Sequence, residues 1–260
     1  MRRLLPLLLP LAMSVSPTAH AGTSGLRVEG TVFVLRQQDG QVLRSPDMVG
    51  AELELGDGSV LRIDAVRTDP QDASGRTLLH RFSQREGDGP WREVCEADRE
   101  GRREGFPVQG HWDAQGRYRL DQAHFALTCT GGAQAKCVRF GYMPWADAPD
   151  GTPMPEMYAA CVHMVRADYC GDGEASTRDG TEIDIYDHHG VWQPGGEAEF
   201  RFEAGWSPQG AVCVHHARIP QNLDLATLAA RCPRLRTAIG AACTEGAAEQ
   251  AGAVLFNRSR

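Results

Sequence analysis

The stretch from residue 155 to 171 reads PEMYAACVHMVRADYCG, and it marks the point where a β-rich chain becomes helical. Apolar residues recur there at helical spacing and form one stripe: Met157, Cys161, Met164 and Val165. Pro155 suits the first turn of a helix, and Gly171 suits its end. We therefore predict a helix from Glu156 to Ala167, with His163 near its polar face.

On the amino-terminal side, from residue 26 to about 145, the pattern is that of β-structure. Val28–Leu35 is strand-like because it is rich in β-branched and apolar residues. Ala51–Leu55 alternates apolar and polar residues, and Val60–Ile63 continues beyond the turn Gly56-Asp57-Gly58. Alternation on both sides of an Asp-Gly turn predicts a β-hairpin.

A second hairpin is predicted where Phe125–Cys129 meets Lys136–Phe140 around Gly131-Gly132. With a tight two-residue turn, Cys129 and Cys137 fall on opposite faces of this ribbon. Their sulfur atoms are then too far apart for disulfide geometry. We therefore predict that these two cysteines do not bond to each other.

On the carboxyl side, residues 143 to 155 are rich in proline, glycine and aspartate, which indicates a linker or boundary. Glu245–Phe256 is predicted to be helical. The chain as a whole is predicted to have an α+β fold. A β-rich region over residues 22–145 packs on a disulfide-stapled mixed region over residues 146–260.

The amino terminus has the three-part layout of a secretory signal peptide over residues 1–21. Arg2 and Arg3 are positive, Leu4–Val15 is mostly apolar, and Ala19 to Ala21 presents a small-x-small pattern. The apolar stretch is shorter than the roughly 20 residues that cross a bilayer. We expect cleavage near Ala21, no membrane insertion, and a periplasmic or secreted location.

The formal net charge of the chain is −7. An acidic surface repels phosphate backbones and anionic lipids, so nucleic acid and membrane surfaces are poor partners. A cell-envelope component or another protein is the partner that we expect. We expect no cofactor, with calcium as the alternative considered below.

The chain has eight cysteines. An even number of cysteines in an exported chain indicates disulfides, and here they are Cys95, Cys129, Cys137, Cys161, Cys170, Cys213, Cys232 and Cys243. Their connectivity cannot be deduced by counting. Cys161 and Cys170 lie out of phase along the predicted helix, so each needs a distant partner. The chain contains no CxxC pair, which argues against a zinc ribbon or a thioredoxin-like centre.

Four segments carry a resemblance to a known family: RADYCGDG at 166–173, KCVRFGYMPW at 136–145, FEAGW at 202–206 and GAVC at 210–213. Together they resemble the signature of the ADYC-domain proteins, a family of exported bacterial proteins named for the tetrapeptide. The resemblance covers roughly residues 129–243. It implies an exported location and an architecture, and no particular reaction.

The Asp/Gly-rich turn of this signature has some features of a calcium loop. Against the EF-hand pattern, Asp168, Asp172, Gly173 and Asp179 take positions 1, 5, 6 and 12. Cys170, however, takes position 3, where an oxygen ligand belongs. The alternative is a helix end followed by a glycine turn and held by a disulfide at Cys170.

A second hypothesis makes Cys170 a nucleophile. A histidine would act as its base, and the candidates are His163, His188, His189, His215 and His216. A thiol of this kind has to be unpaired and to have a lowered pKa. An aspartate would orient the imidazole of that base, and the candidate catalytic residues are Asp168, Cys170 and His163.

Three weaker patterns remain. Asp187-His188-His189 and His215-His216 supply zinc-type ligands, but adjacent strand residues point to opposite faces. Paired carboxylates for hydrolysis could come from Asp168, Asp172, Glu174, Asp184 and Glu203. Aromatic residues beside turns are typical both of sugar stacking and of corner packing, and they are Trp145, Trp192 and Trp206.

These patterns predict a non-catalytic extracytoplasmic binding or structural module, because no catalytic spacing stands above background. The alternative is an exported hydrolase whose site lies between Arg166 and Asp187, with Cys170 or a carboxylate as its active group. Enzymatic activity is left open between these two hypotheses.

Overall fold

Antiparallel sheets are the main regular structure in the chain that the computed structural model describes, which is residues 25–72, 75–196 and 198–260. The predicted signal peptide at residues 1–21 lies outside the described residues. The class is α+β, as predicted. No helix in the described part of the chain is long and apolar enough to cross a membrane.

The strands of the amino-terminal half are β1 (Leu26–Glu29), β2 (Val32–Arg36), β3 (Val42–Arg44), β4 (Glu52–Glu54), β5 (Ser59–Thr68), β6 (Leu78–Glu86), β7 (Arg92–Glu93), β8 (Gly105–Gln109), β9 (His111–Trp112), β10 (Tyr118–Arg119) and β11 (Phe125–Cys129). They form a three-stranded sheet in the order β1-β2-β3, a sheet in the order β11-β8-β6-β5-β4 with β7 beside β6, and the two-stranded ribbon β9–β10.

The carboxyl-terminal half contains the α-helices and a four-stranded sheet. The helices are α1 (Ala133–Arg139), α2 (Pro155–Arg166), α3 (Leu225–Arg231) and α4 (Glu245–Gln250), and the strands are β12 (Asp184–Tyr186), β13 (Arg201–Ser207), β14 (Gly210–Val214) and β15 (Leu255–Ser259). The strand order is β12-β15-β13-β14.

The hairpin predicted around Gly56-Asp57-Gly58 is confirmed as β4–β5. Leu53 pairs with Leu61 in register, and both side chains are buried. The single strand predicted over Val28–Leu35 is wrong, because the chain reverses at Gly30 and forms the hairpin β1–β2. Gly30 has a φ of 65°, a left-handed conformation that favours glycine.

The second predicted hairpin is also wrong. Phe125–Cys129 is a strand, but residues 133 to 139 form α1 instead of a returning strand. α1 packs against α2, and the Cys137–Cys161 disulfide joins the two helices. Cys129 bonds instead to Cys95. The prediction that Cys129 and Cys137 do not bond is therefore confirmed, although the reason is the helix and not the faces of a ribbon.

α2 is confirmed to within a residue of its predicted ends, and it is buried over most of its length. Two details of the prediction are wrong. His163 is 5% exposed and lies inside rather than on a polar face, because α2 is covered on several sides. The residue that terminates the helix is Ala167, in a left-handed conformation, and not Gly171.

The helix predicted from Glu245 to Phe256 ends at Gln250, and Leu255–Ser259 is a strand. Gly252 has a φ of 86° and turns the chain away from the helix axis. β15 then lies between β12 and β13, so neighbouring strands satisfy its backbone on both sides. Tertiary pairing here overrides the helical pattern of the sequence.

One large apolar core joins the two halves. It contains Leu79, Phe106 and Val108 from the amino-terminal sheet, together with α1, α2 and the inner faces of β13 and β14. Four disulfides add covalent links: Cys95–Cys129, Cys137–Cys161, Cys170–Cys232 and Cys213–Cys243. All eight cysteines are bridged, and Cys161 and Cys170 both have distant partners, as predicted.

Candidate functional site

The end of α2 decides how the segment after it is placed. The Ala167 N–H donates to Met164 O (3.0 Å) and the Asp168 N–H donates to His163 O (2.9 Å), which is the hydrogen-bond pattern of a Schellman motif. Ala167 has a φ of 50°, and it is the non-glycine residue with a positive φ among those described. This reversal turns Asp168 and Tyr169 back toward the core, where both are buried.

The Asp168 carboxylate holds the glycine turn that follows. It accepts three backbone N–H groups, from Gly171 (2.9 Å), Asp172 (3.2 Å) and Gly173 (2.9 Å). Its Oδ2 also lies 2.9 Å from His163 Nδ1. Burial opposes ionisation of Asp168, but the hydrogen bond and charge of His163 and the backbone donors outweigh it and lower the pKa of this carboxyl.

The His163–Asp168 pair has the arrangement of a base and an orienting carboxylate. Its surroundings differ from those of an active site. The side chains of His163 and Asp168 are 6% and 1% exposed. His163 Nε2 is buried without a hydrogen-bond partner among the described residues, and the Trp112 ring lies edge-on at 5.9 Å. A substrate does not reach Nε2 in this conformation.

Tyr169 enters a fully buried polar network. Its hydroxyl donates to Glu203 Oε1 (2.9 Å) and accepts the backbone N–H of Arg218 (2.9 Å). The Arg218 guanidinium binds both Glu203 oxygens at 3.0 Å. Asn257 donates to Glu203 Oε2 (2.7 Å), and the Trp206 indole N–H donates to Asn257 Oδ1 (2.8 Å).

Glu203 keeps its charge in this network although it is 0% exposed. Burial opposes ionisation, but the charge and hydrogen bonds of Arg218, with those of Ser259 and Asn257, lower the pKa of Glu203. Arg218 also donates to the carbonyls of Met164 (2.8 Å) and Val165 (3.2 Å), the last turn of α2. A cation is favoured there by the helix dipole. The network therefore fastens the helix end to β13 and β15.

We call this attachment of the end of α2 to β13 and β15 the junction. Cys170 adds a covalent link to it through its disulfide bond to Cys232, at the end of α3. A bridged sulfur does not serve as a thiolate nucleophile. Beside it, a side chain at Gly171 would collide with the Gln209 carbonyl in the β13–β14 turn. The Arg234 side chain donates to the carbonyls of Tyr169 (2.9 Å) and Gln209 (2.9 Å), which joins the two turns.

The structure disperses the other residues of the predicted calcium loop. Asp172 is exposed and pairs with Arg231 at 2.8 Å. Asp179 is exposed on the loop before β12. The oxygens of Asp168 already accept N–H donors, which compete with a cation. Calcium at this turn stays a prediction.

The paired histidines also diverge. His188 Nε2 lies 3.5 Å from Glu245 Oε1, and His189 Nδ1 lies 2.8 Å from Asp150 Oδ2. His215 contacts the Cys243 carbonyl (3.0 Å), and His216 contacts Ser259 Oγ (3.0 Å). The structure therefore separates the four imidazoles among different partners.

The carboxylates and tryptophans proposed from the sequence lie in different settings. Asp184 is buried and accepts the Gly195 N–H (2.8 Å), while Glu174 is exposed. Trp206 is buried and Trp145 packs on Gly30. Trp192 is 40% exposed and contacts Phe140 edge-on.

The sequence did not predict two features of the structure, a buried arginine and a cluster of possible metal ligands. Arg218, the partner of Glu203, follows two histidines in a stretch with no recognisable motif. The second group is His111, Asp121 and His124, whose ligand atoms lie within 4.8 Å of one another among the described residues. An Asp-x-x-His spacing at 121–124 was its only sequence signal, and His111 joins it through the β9–β10 ribbon.

These observations define an α+β protein in which a buried junction fastens the end of α2 to the carboxyl-terminal sheet and four disulfides add covalent links. The residues at that junction are those of the tetrapeptide Ala167 to Cys170. The ADYC domain family matches residues 45–220, more than half of the 260-residue chain, and the chain belongs to this family. No curated protein and no solved structure matches the chain.

Proposed function

We propose that this protein is exported after cleavage near Ala21 and acts in the bacterial envelope, or beyond it, as a non-catalytic binding or structural module. The observation that carries the proposal is the use of the ADYC tetrapeptide. Ala167 ends a helix, Asp168 caps a turn, Tyr169 binds a buried carboxylate and Cys170 is bridged. All four act within the fold, so the motif supports a scaffold more than a reaction centre.

The bridging of all eight cysteines supports the location, because disulfides persist in oxidising compartments. The test is expression of the full chain in a bacterial host, followed by fractionation and mass measurement of the product. We expect a periplasmic or secreted protein that begins at Gly22. An uncleaved protein in the cytoplasm would contradict export.

The alternative is an exported hydrolase with a site between Arg166 and Asp187. The observation in its favour is the His163–Asp168 pair at 2.9 Å. Purified protein should be assayed with ester, peptide and glycoside substrates, each beside a His163→Gln variant. Turnover that disappears in this folded variant would overturn the non-catalytic proposal.

A cysteine variant tests the scaffold role directly. We expect the double variant Cys170→Ala/Cys232→Ala to lose about 2–4 kcal/mol of unfolding free energy, because the bridge closes a long loop. Urea unfolding under non-reducing conditions measures the loss. A thiol count on the unfolded wild-type protein is the control, and we expect no free thiol.

A further inference from the structure

A cluster of metal-ligand side chains lies outside the ADYC junction. His111 is in β9, and Asp121 and His124 are in the segment that connects β10 to β11. The Gly110 N–H donates to His124 O at 2.8 Å, which brings the two parts of the chain together. We propose that His111, Asp121 and His124 form a binding site for a zinc-type divalent cation.

The distances between the ligand atoms suit one small cation. Asp121 Oδ2 lies 2.7 Å from His111 Nδ1 and 3.2 Å from His124 Nδ1. Ligands in a tetrahedron around zinc, with bonds of about 2.0–2.1 Å, stand about 3.3 Å apart. These two separations need to grow by about 0.6 Å and about 0.1 Å to reach that spacing, and all three ligand atoms lie within 4.8 Å of one another.

The carboxylate is held in place before any ion binds. Asp121 Oδ1 accepts the backbone N–H groups of Ala123 and His124, both at 2.8 Å, and lies 3.0 Å from His124 Nδ1, while Oδ2 contacts both imidazoles. Hydrogen bonds of this kind around a ligand fix its orientation and raise its affinity for the metal. The site thus has its own supporting contacts, as a preformed metal site requires.

Exposure gives the ion access and an open position. The side chains of His111, Asp121 and His124 are 38%, 31% and 63% exposed. Each imidazole can carry its proton on Nε2, where solvent accepts it, and present Nδ1 to the ion. Three protein ligands leave a fourth tetrahedral position for water or for a group from a partner.

The ligand types select the class of cation. Two imidazoles and one carboxylate suit zinc, copper, nickel or cobalt, whereas calcium and magnesium prefer all-oxygen sites. His111, Asp121 and His124 are neither core residues nor disulfide cysteines. The cation would therefore bind at the protein surface. This proposal does not depend on the non-catalytic role proposed above.

The test uses the mature protein after dialysis against EDTA and then against metal-free buffer. Isothermal titration with zinc chloride should give one site per chain, and cobalt chloride should give the visible absorption of a tetrahedral site. We expect zinc to raise the Tm by several degrees, since it binds only the folded state. In the His111→Ala/His124→Ala variant we expect the site and the Tm shift to be lost.

The matched control is His189→Ala, which removes the exposed His189–Asp150 pair and its 2.8 Å contact but leaves the cluster intact. This variant should bind zinc with unchanged stoichiometry and affinity. The proposal is overturned if wild-type protein binds neither cation. It is equally overturned if the double variant, folded by circular dichroism, binds as the wild type does.

Discussion

Two of the histidine–aspartate pairs in this protein have almost the same geometry but opposite surroundings. In the first pair, which we call the sealed pair, His163 Nδ1 lies 2.9 Å from Asp168 Oδ2 and both side chains are buried in the ADYC junction. In the second, the open pair, His111 Nδ1 lies 2.7 Å from Asp121 Oδ2 and both side chains are about one-third exposed. The two pairs are linked through β9, where His111 faces the cluster and its neighbour Trp112 packs on His163. This contrast indicates that burial, and not the pair itself, separates the structural role of the first pair from the ligand-binding role that we propose for the second.

The largest loss of unfolding free energy should come from the buried network beside the sealed pair, which contains Tyr169, Glu203, Arg218 and Asn257. Arg218→Met leaves the Glu203 carboxylate without its cation in a site with no solvent access. Breaking a buried ion pair from one side costs about 3–5 kcal/mol. We expect that loss of unfolding free energy in urea titrations. Adding Glu203→Gln to this variant should recover part of it, because the unpaired charge is then absent.

Arg231→Met is the matched control for this variant. Arg231 pairs with Asp172 at 2.8 Å, but both side chains are more than one-third exposed. Exposed ion pairs contribute less than about 1 kcal/mol. Equal losses in Arg218→Met and Arg231→Met would mean that burial does not set the importance of these ion pairs, and the comparison would fail.

A smaller effect is expected from Asp168→Asn. The new amide nitrogen would face N–H donors of the turn, which leaves buried donors unpaired and costs about 1–3 kcal/mol. Circular dichroism of urea unfolding at pH 7 measures this loss. A stability equal to that of the wild type would show that the turn does not depend on the carboxylate.

The same variant makes a pH-dependent prediction. The pKa of Asp168 is lower in the folded protein than its usual value of about 3.9. Its charge therefore stabilises the fold above about pH 4, and this contribution is lost as the pH falls through the folded pKa. The stability difference between wild type and Asp168→Asn should shrink from pH 7 to pH 3. A difference that stays constant would exclude the carboxylate charge as its source.

The sealed pair could be partly predicted from the sequence, and the open one could not. Local patterns were enough for α2 and for the β4–β5 hairpin, because helical spacing and an Asp-Gly turn act over a few residues. Glu203 and Arg218 meet because β13 pairs with β14, which precedes Arg218 in the chain. His111 and His124 meet only because the β9–β10 ribbon folds back. Such long-range contacts leave no periodic signal.

Two of the wrong assignments, the strand at residues 136–140 and the helix at residues 251–256, have one physical origin. Residues 136–140 alternate enough for a strand, and residues 251–256 are compatible with a helix. The structure reverses both, because α1 is bonded through Cys137 to α2 and β15 is paired on both edges. Short segments of ambiguous pattern take the conformation that their tertiary partners impose.

The smallest effect is expected from Asp121→Asn, which makes in the open pair the same substitution that Asp168→Asn makes in the sealed one. An asparagine oxygen can still accept the backbone N–H groups of Ala123 and His124, and solvent can satisfy the imidazoles. We expect a change below about 1 kcal/mol in metal-free urea unfolding, as for other exposed pairs. A loss as large as that of Asp168→Asn would show that this cluster holds the ribbon in place as firmly as the junction holds α2. Histidine–aspartate pairing, and not burial, would then decide which pair is structural.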